Sequence, residues 1–361
     1  MTPIHRKAQR RQRGFTLVEL MISLLLGLLV IGAAGSMFFS NRKVYGSTEA
    51  ISRIQENQRS AYEMLARDIR EAGGNPCTRN VVNMLDTTKP GGSYYAGWQS
   101  GVSGANNTGP NGADEITLSN ATGTSISVID EDVPNAVIGV SSTTGINPGD
   151  ILMVCNSEVA AIFQVTSASG GKIGHNSGSD SPGNLWKRPQ IDQCTYWRSG
   201  QVPAGYTCPP DSMDPITDNS YGYCFLPGTP KHTQCSHESS NSPAQVVKPV
   251  SVRWYLRANG RGSTSLYRQE ISNAGTSVVS DNEIAEGVTN MQITYKVGDA
   301  TAYVDASAGL DWGRVTAVHV NMVFRATQGT LTKSDTEGTD NAVITRALND
   351  YIVLRNHQEI Q

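Results

Sequence analysis

Arg13-Gly14-Phe15-Thr16-Leu17-Val18-Glu19-Leu20 decides how this sequence is read. A basic leader meets a Gly-Phe bond, and one carboxylate, Glu19, stands at the mouth of a long apolar run. The leader holds Arg6, Lys7, Arg10, Arg11 and Arg13, a bias that keeps such a segment cytoplasmic. Leu20 to Asn41 carries no charge and is long enough to cross a bilayer, which takes about 20 residues. An ordinary secretory signal is cut after its apolar segment, at a small-x-small sequence. A plain secretory signal or signal anchor, with Gly32-Ala33-Ala34 as a loose cleavage site, is the alternative reading. The recognisable junction, Gly14–Phe15, lies before the apolar run, so cleavage there leaves that run on the mature chain. A carboxylate at bilayer depth costs about 2.5–3.5 kcal/mol and needs a partner. The α-ammonium freed at Phe15 supplies one for Glu19.

Loss of the first 14 residues, which carry five bases and no acid, takes the formal charge from −3 to −8. Such an acidic chain lacks the basic face that general nucleic-acid binding requires. Its 361 residues suffice for one large domain or two subdomains behind the helix, and 36 glycines with 38% hydrophobic residues point to loop-rich β structure.

No proline falls between Phe15 and Asn75, and Ala72-Gly73-Gly74-Asn75-Pro76 is a strong helix stop. The expected organisation is a leader over 1–14, a helix over 15–72 (about 15–40 transmembrane, 41–72 amphipathic) and a β-rich periplasmic domain over 73–361. Ile51, Ile54, Tyr62, Leu65 and Ile69 recur at helical spacing as a packing face. Glu56, Arg59, Glu63, Arg67 and Arg70 occupy a largely separate face, with Glu63 and Arg67 as an i,i+4 pair. Gly27, Gly32 and Gly35 weaken the apolar half but permit close approach of other helices.

Gly91 to Asn111 reads as a long loop. Strands are expected at Glu115–Asn120, Ser125–Asp130, Ile151–Asn156, Ala161–Ser167, Val250–Arg257, Ser265–Glu270, Met291–Val297, Val315–Arg325 and Tyr351–Arg355. Asn147-Pro148-Gly149-Asp150 forms a turn, and 170–244 has no sustained pattern. One long helix followed by many strands predicts an α+β fold with an antiparallel sheet packed on the helix.

Six cysteines, Cys77, Cys155, Cys194, Cys208, Cys224 and Cys235, suit an oxidising compartment. Four lie in the patternless insert, where disulfides substitute for a core. Cys77 with Cys155, and the other four among themselves, is one of 15 connectivities. Zinc has little support: there is no C-x-x-C pair, and Cys235-Ser236-His237 is only a fragment of ligand spacing.

Signs of catalysis are absent. The six histidines form no H-E-x-x-H, Gly174-His175-Asn176-Ser177-Gly178 misplaces the serine of a nucleophile elbow, and no phosphate loop follows a strand. No catalytic residue, metal ligand or cofactor is therefore assigned. Asp299, Asp305 and Asp311 suit calcium chemically but match no EF-hand spacing. Asp114-Glu115 and Asp130-Glu131-Asp132 read as solvated loop and strand-end acids, and Trp98, Trp186, Trp197, Trp254 and Trp312 as buried anchors.

The N-terminus resembles type IV prepilins. Four further segments resemble the PilW family of minor pilins: Leu65-Ala66-Arg67-Asp68-Ile69-Arg70-Glu71-Ala72-Gly73, Glu286–Tyr295, Val315–Arg325 and the terminal Tyr351–Asn356. The resemblance implies a type IV pilin-like fold, prepilin peptidase cleavage between Gly14 and Phe15, N-methylation of Phe15, and an assembly ion pair at Glu19. It implies a single-pass inner-membrane protein of a Gram-negative bacterium that passes into the pilus through an inner-membrane assembly platform. Its implied partners are other minor pilins, the major pilin and a large tip adhesin, in a complex that initiates the pilus. Many pilins carry a proline where this chain has Ser36, which leaves the usual helix kink without its cause.

Two other functions compete. A pseudopilin of a type II secretion system shares the leader, helix and β-rich head, although its largest tip subunit typically lacks the carboxylate found here at Glu19. A membrane-anchored periplasmic enzyme or ligand receptor would need a concave site with convergent polar groups.

Overall fold

With no proline to interrupt it, the chain forms one unbroken helix, α1, from Leu17 to Glu71. The computed structural model describes residues 14, 16–77, 81–89, 91–95, 97–132, 136–156, 160–177, 182–185, 244–271, 278–328, 331–338 and 340–357. Cys194, Cys208, Cys224, Cys235, His237, Trp186, Trp197 and most of the insert lie outside these residues.

A larger sheet takes β1 Val81–Asn83, β2 Val102–Ala105, β3 Glu115–Asp132, β4 Val137–Val140, β5 Ile151–Cys155, β6 Ala160–Gln164, β7 Ser167–Ser169, β8 Lys172–Gly174, β9 Gln245–Ala258, β10 Thr264–Ile271 and β11 Val278–Glu286. A smaller sheet takes β12 Val288–Val297, β13 Val304–Asp305, β14 Val315–Arg325 and β15 Thr345–Val353, in the order β13-β12-β14-β15. Pairing is antiparallel except between β1 and β6. The chain divides into two compact units: Met1–Arg53 with Ala326–Ile344, and Ile54–Arg325 with Thr345–Gln361.

In the first unit, Gly46 and Ala50 are buried. A Cβ at Gly46 would stand 2.5 Å from the Asp335 carboxyl carbon, so the segment between β14 and β15 closes against α1 where the helix has no side chain. Thr332 donates its N–H to Asp335 (2.8 Å) in a capping box that shapes this segment.

The second unit holds both sheets and the last part of α1. The run Ile151-Leu152-Met153-Val154-Cys155 is apolar throughout because β5 is covered on both faces. Leu152, Val154 and Phe163 pack with Ile138 and Ile173, while Ile151, Met153 and Ile162 pack with Tyr95 and Trp98. Cys77 and Cys155 form a disulfide with their Cα atoms 5.9 Å apart, tying the chain just after the helix to β5.

Ala61, Leu65, Ala66, Ile69 and Ala72 form the fully buried stripe of α1. Tyr62, expected on that face, is only half-buried, and the alanines take its place because they let the backbone approach the sheet. Within the stripe lies a charge. Asp68 Oδ2 accepts hydrogen bonds from Trp254 Nε1 (3.0 Å) and Arg268 Nε (2.7 Å). Trp254 on β9 and Arg268 on β10 are direct cross-strand partners, so the sheet register places both donors under one carboxylate. Arg268 also bonds Glu270 (3.0 Å). Burial works against the Arg268 charge, but the bonds to Asp68 and Glu270 outweigh it and hold the guanidinium above its ordinary range. Glu63 pairs with Arg59 (2.8 Å) rather than with Arg67, whose Nε stands 4.0 Å from Asp68.

The helix ends at Gly73, whose left-handed φ of +71° suits glycine, and Gly73 N–H bonds to the Ser119 carbonyl (2.8 Å). Asn356 Nδ2 donates to the carbonyls of Glu71 (3.3 Å), which also accepts the Gly74 N–H (2.9 Å), and of Ala72 (3.2 Å), so the terminal segment caps the helix.

Three expectations are corrected. Glu115–Asn120 and Ser125–Asp130 are one strand, because Thr122 and Gly123 still pair with β9 before a register shift. The loop expected over 91–111 contains β2, which pairs antiparallel with β3. Asp114 is not a solvated acid: it is buried and accepts the N–H groups of Asn107 (2.8 Å) and Ile293 (2.7 Å), joining the loop before β3 to β12. Trp98 and Trp254 are buried, whereas Trp312 is half-buried with its ring edge-to-face with Tyr295 at 4.9 Å.

Two measurements test this packing. Asp68→Ala removes one side of a buried ion pair and should lower unfolding stability by about 3 kcal/mol in urea titration of the full chain in detergent. A loss below about 1 kcal/mol would mean that the apolar stripe seats the helix unaided. Burial beside Phe163 pushes the His175 imidazole down to about 3. The unfolded imidazole takes its proton below about 6.5 while the folded one stays neutral, so stability is lost as pH falls from there toward 3. His175→Gln should therefore lose about 2–3 kcal/mol less than the native chain between pH 7.5 and 4.5. Equal losses would assign the acid sensitivity elsewhere.

Candidate functional site

The first turn of α1 is built by Thr16 and Glu19. Thr16 Oγ1 accepts the Glu19 N–H at 3.3 Å, and the Leu20 N–H bonds to the Thr16 carbonyl at 3.1 Å. Thr16 is therefore the N-cap, and Glu19 is the first-turn acid at the positive end of the helix dipole. The Glu19 carboxylate lies 3.5 Å from the Thr16 hydroxyl. Thr16-Leu17-Val18-Glu19 has the S/T-x-x-E form of a capping sequence, a signal the Glu19 argument from membrane cost alone did not use. Gly14 is exposed just ahead of this turn, and Phe15 lies outside the described residues.

Beyond Glu19 the helix is apolar on every side. Leu24 is 65% exposed, Leu28 73% and Phe39 68%, with no buried face between them. This helix is long and apolar enough to cross a membrane. Ser23 and Ser36 turn their hydroxyls back onto the helix: Ser23 bonds the Leu20 carbonyl (3.0 Å) and Ser36 the Ala33 carbonyl (2.8 Å). Neither leaves a bare donor facing the apolar surroundings. α1 continues unbroken through Ser36, the position where many pilins have proline. A Cβ at Gly27, Gly32 or Gly35 would meet nothing in this chain, so no contact within the protein requires these glycines. Small residues at such a surface are what close contact with another helix uses.

The other candidate groups do not converge. Asp299, Asp305 and Asp311 are exposed, and among the described residues no group of three or more His, Cys, Asp or Glu side chains could hold a metal. The chemistry the described residues offer is that of a surface: an apolar helix with one carboxylate at its start, and a sheet-bearing head.

Two family models match the chain. Residues 9–35 match the prokaryotic N-terminal methylation motif, which covers the Gly14–Phe15 junction, Glu19 and the start of the apolar run. Residues 253–350 match the type IV pilus-assembly protein W, a span that takes in Trp254, Arg268, the smaller sheet and most of β15. No curated protein matches significantly. Among solved structures the chain is similar to the type IV-like pilin TTHA1219 from Thermus thermophilus, at 13% identity over 31% of this chain and 70% of that one. The TM-score of that pairing is 0.20, which carries no argument about the fold. The motif and the family segment each coincide with a part that packing singles out: the capped start of the apolar helix, and the strands that receive Asp68. The chain thus carries a prokaryotic N-terminal methylation motif at the start of its apolar helix, and its strands from β9 to β15 hold a segment similar to the type IV pilus-assembly protein W.

Proposed function

We propose that this chain is a minor pilin, a scarce subunit that promotes initiation and assembly of type IV pili within a complex of minor pilins and a tip protein. The observation that carries the reading is the helix half from Leu17 to Tyr45, whose large apolar side chains are all exposed. Exposed apolar surface of that extent calls for lipid or for like helices. Prepilin peptidase cuts between Gly14 and Phe15, Phe15 is methylated, and the mature chain waits in the inner membrane of a Gram-negative cell with its head in the periplasm. On leaving the bilayer the helix exchanges lipid for neighbouring helices, and the Glu19 carboxylate meets the α-ammonium of an adjacent subunit. The size of the head supports a scarce role, since a bulk fibre unit needs far less. The insert over 170–244 adds surface for unlike partners, and bridges among Cys194, Cys208, Cys224 and Cys235 would hold it. The role is structural, with no catalytic step.

Deletion of the gene should remove most surface pili while the major pilin is still made, processed and stored in the membrane. Reintroduced Glu19→Val should insert at least as well as the native chain, because the membrane cost of the carboxylate is gone, yet fail to restore pili. Normal pilus number in the deletion would defeat the initiation role. Full restoration by Glu19→Val would defeat the ion pair alone.

A further inference from the structure

The smaller sheet ends in an open edge that the assembly reading does not use. β15 pairs with β14 and forms the outer strand of that sheet. Its register fixes which backbone groups face outward. Ala326 N–H bonds the Ile344 carbonyl ahead of the strand, and Leu354 N–H bonds the Thr316 carbonyl just after it. Antiparallel pairs alternate between bonded and non-bonded positions, so the even-numbered residues of β15 bond to β14. Ala347, Asn349, Tyr351 and Val353 therefore turn their N–H and C=O groups to the open side. Two of those groups are already used: Gln58 of α1 donates to the Ala347 carbonyl (3.3 Å), and the Asp350 carboxylate accepts the Tyr351 N–H (2.8 Å). At the end of the strand the Tyr351 carbonyl and both backbone groups of Val353 remain among those left.

These groups border a cleft of about 390 Å³ lined by Arg70, Tyr351, Ile352, Val353 and Arg355. Arg70 comes from the last turn of α1 and Arg355 from the turn after β15. Among the described residues neither forms a salt bridge; the Tyr62 hydroxyl interacts with the Asp350 carboxylate and with Arg70. The lining thus carries two positive charges against one neighbouring carboxylate, that of Asp350, on a chain whose formal charge is −3. Its side wall is held in place. The exposed Tyr351 ring stacks on His319 at 4.4 Å and meets Tyr303 edge-on at 5.2 Å, while His319 is bonded to Thr294 and Asn349.

A free strand edge recognises extended backbone, and a pair of guanidiniums recognises carboxylates. We propose that the Tyr351–Val353 edge takes an extended, acidic segment of a partner protein as an added strand. The partner backbone bonds at Tyr351 and Val353, and Arg70 and Arg355 hold a carboxylate from it. The inference rests on the assembly reading only in giving that partner its chemistry. Binding is measured without pili, so either can fail alone.

The test is fluorescence anisotropy of the full chain in detergent with a short dye-labelled peptide alternating glutamate and valine. The native chain should bind it. A glutamine-for-glutamate peptide, a proline-interrupted peptide and the Arg70→Gln/Arg355→Gln chain should each bind at least about tenfold more weakly. Val353→Pro removes an outward N–H without touching a bond to β14, and should weaken binding as much while leaving the unfolding midpoint in place. Absence of binding overturns the proposal. So does binding that ignores Val353→Pro and the proline peptide, which would be charge attraction alone. Indifference to the arginine substitutions overturns it as well, as does self-association of the chain that the peptide does not displace.

Discussion

A buried carboxylate sets the position of the helix on its head. Asp68 lies in an otherwise apolar stripe, and its two donors, Trp254 and Arg268, come from adjacent strands at matching register. Leu65 and Ile69, flanked by alanines, supply the burial. Such a stripe by itself fits several rotations and shifts of comparable energy. The carboxylate accepts only the setting that brings both donors within reach, and any other leaves a charge unpaired in the core at a cost of several kcal/mol. We attribute the unique seating of Ile54–Glu71 to this bond set, and Asn356 fixes its far end by capping Glu71 and Ala72.

That arrangement lets one helix meet two environments. From Leu20 to Phe39 its large side chains are apolar and exposed, and Ser23 and Ser36 turn their hydroxyls back onto the backbone. From Ile54 onward it carries a narrow buried stripe with charged residues outside it. The change needs no break in the backbone, only a change in what each turn presents. The first half is long and apolar enough to cross a membrane, and the second half seats the sheets of the head.

Much of this was legible in the sequence because it repeats. The helical spacing of Ile54, Leu65 and Ile69 marks a packing face, and Val315–Arg325 alternates so regularly that the pattern sets the limits of the strand. The parts that were not legible depend on single residues meeting across the chain. Nothing local separates Asp68, with its partners in β9 and β10, from the acids around it, and Asp114 looks solvated until β12 arrives with the Ile293 amide. β2 and β11 were missed because Val102-Ser103-Gly104-Ala105 and Val278–Glu286 pair through backbone and show little hydrophobic pattern. At Glu19 the membrane cost was visible, whereas its place in the cap of Thr16 is a matter of three-residue spacing.

The central claim is that the apolar helix stays on the mature protein, cut free of its leader just ahead of its cap. Intact-mass and N-terminal peptide spectrometry of the chain purified from membranes tests that claim most directly. The account predicts a mature protein beginning at Phe15 with a methylated amine. A mature protein beginning near Gly35, with the apolar run removed, would contradict it.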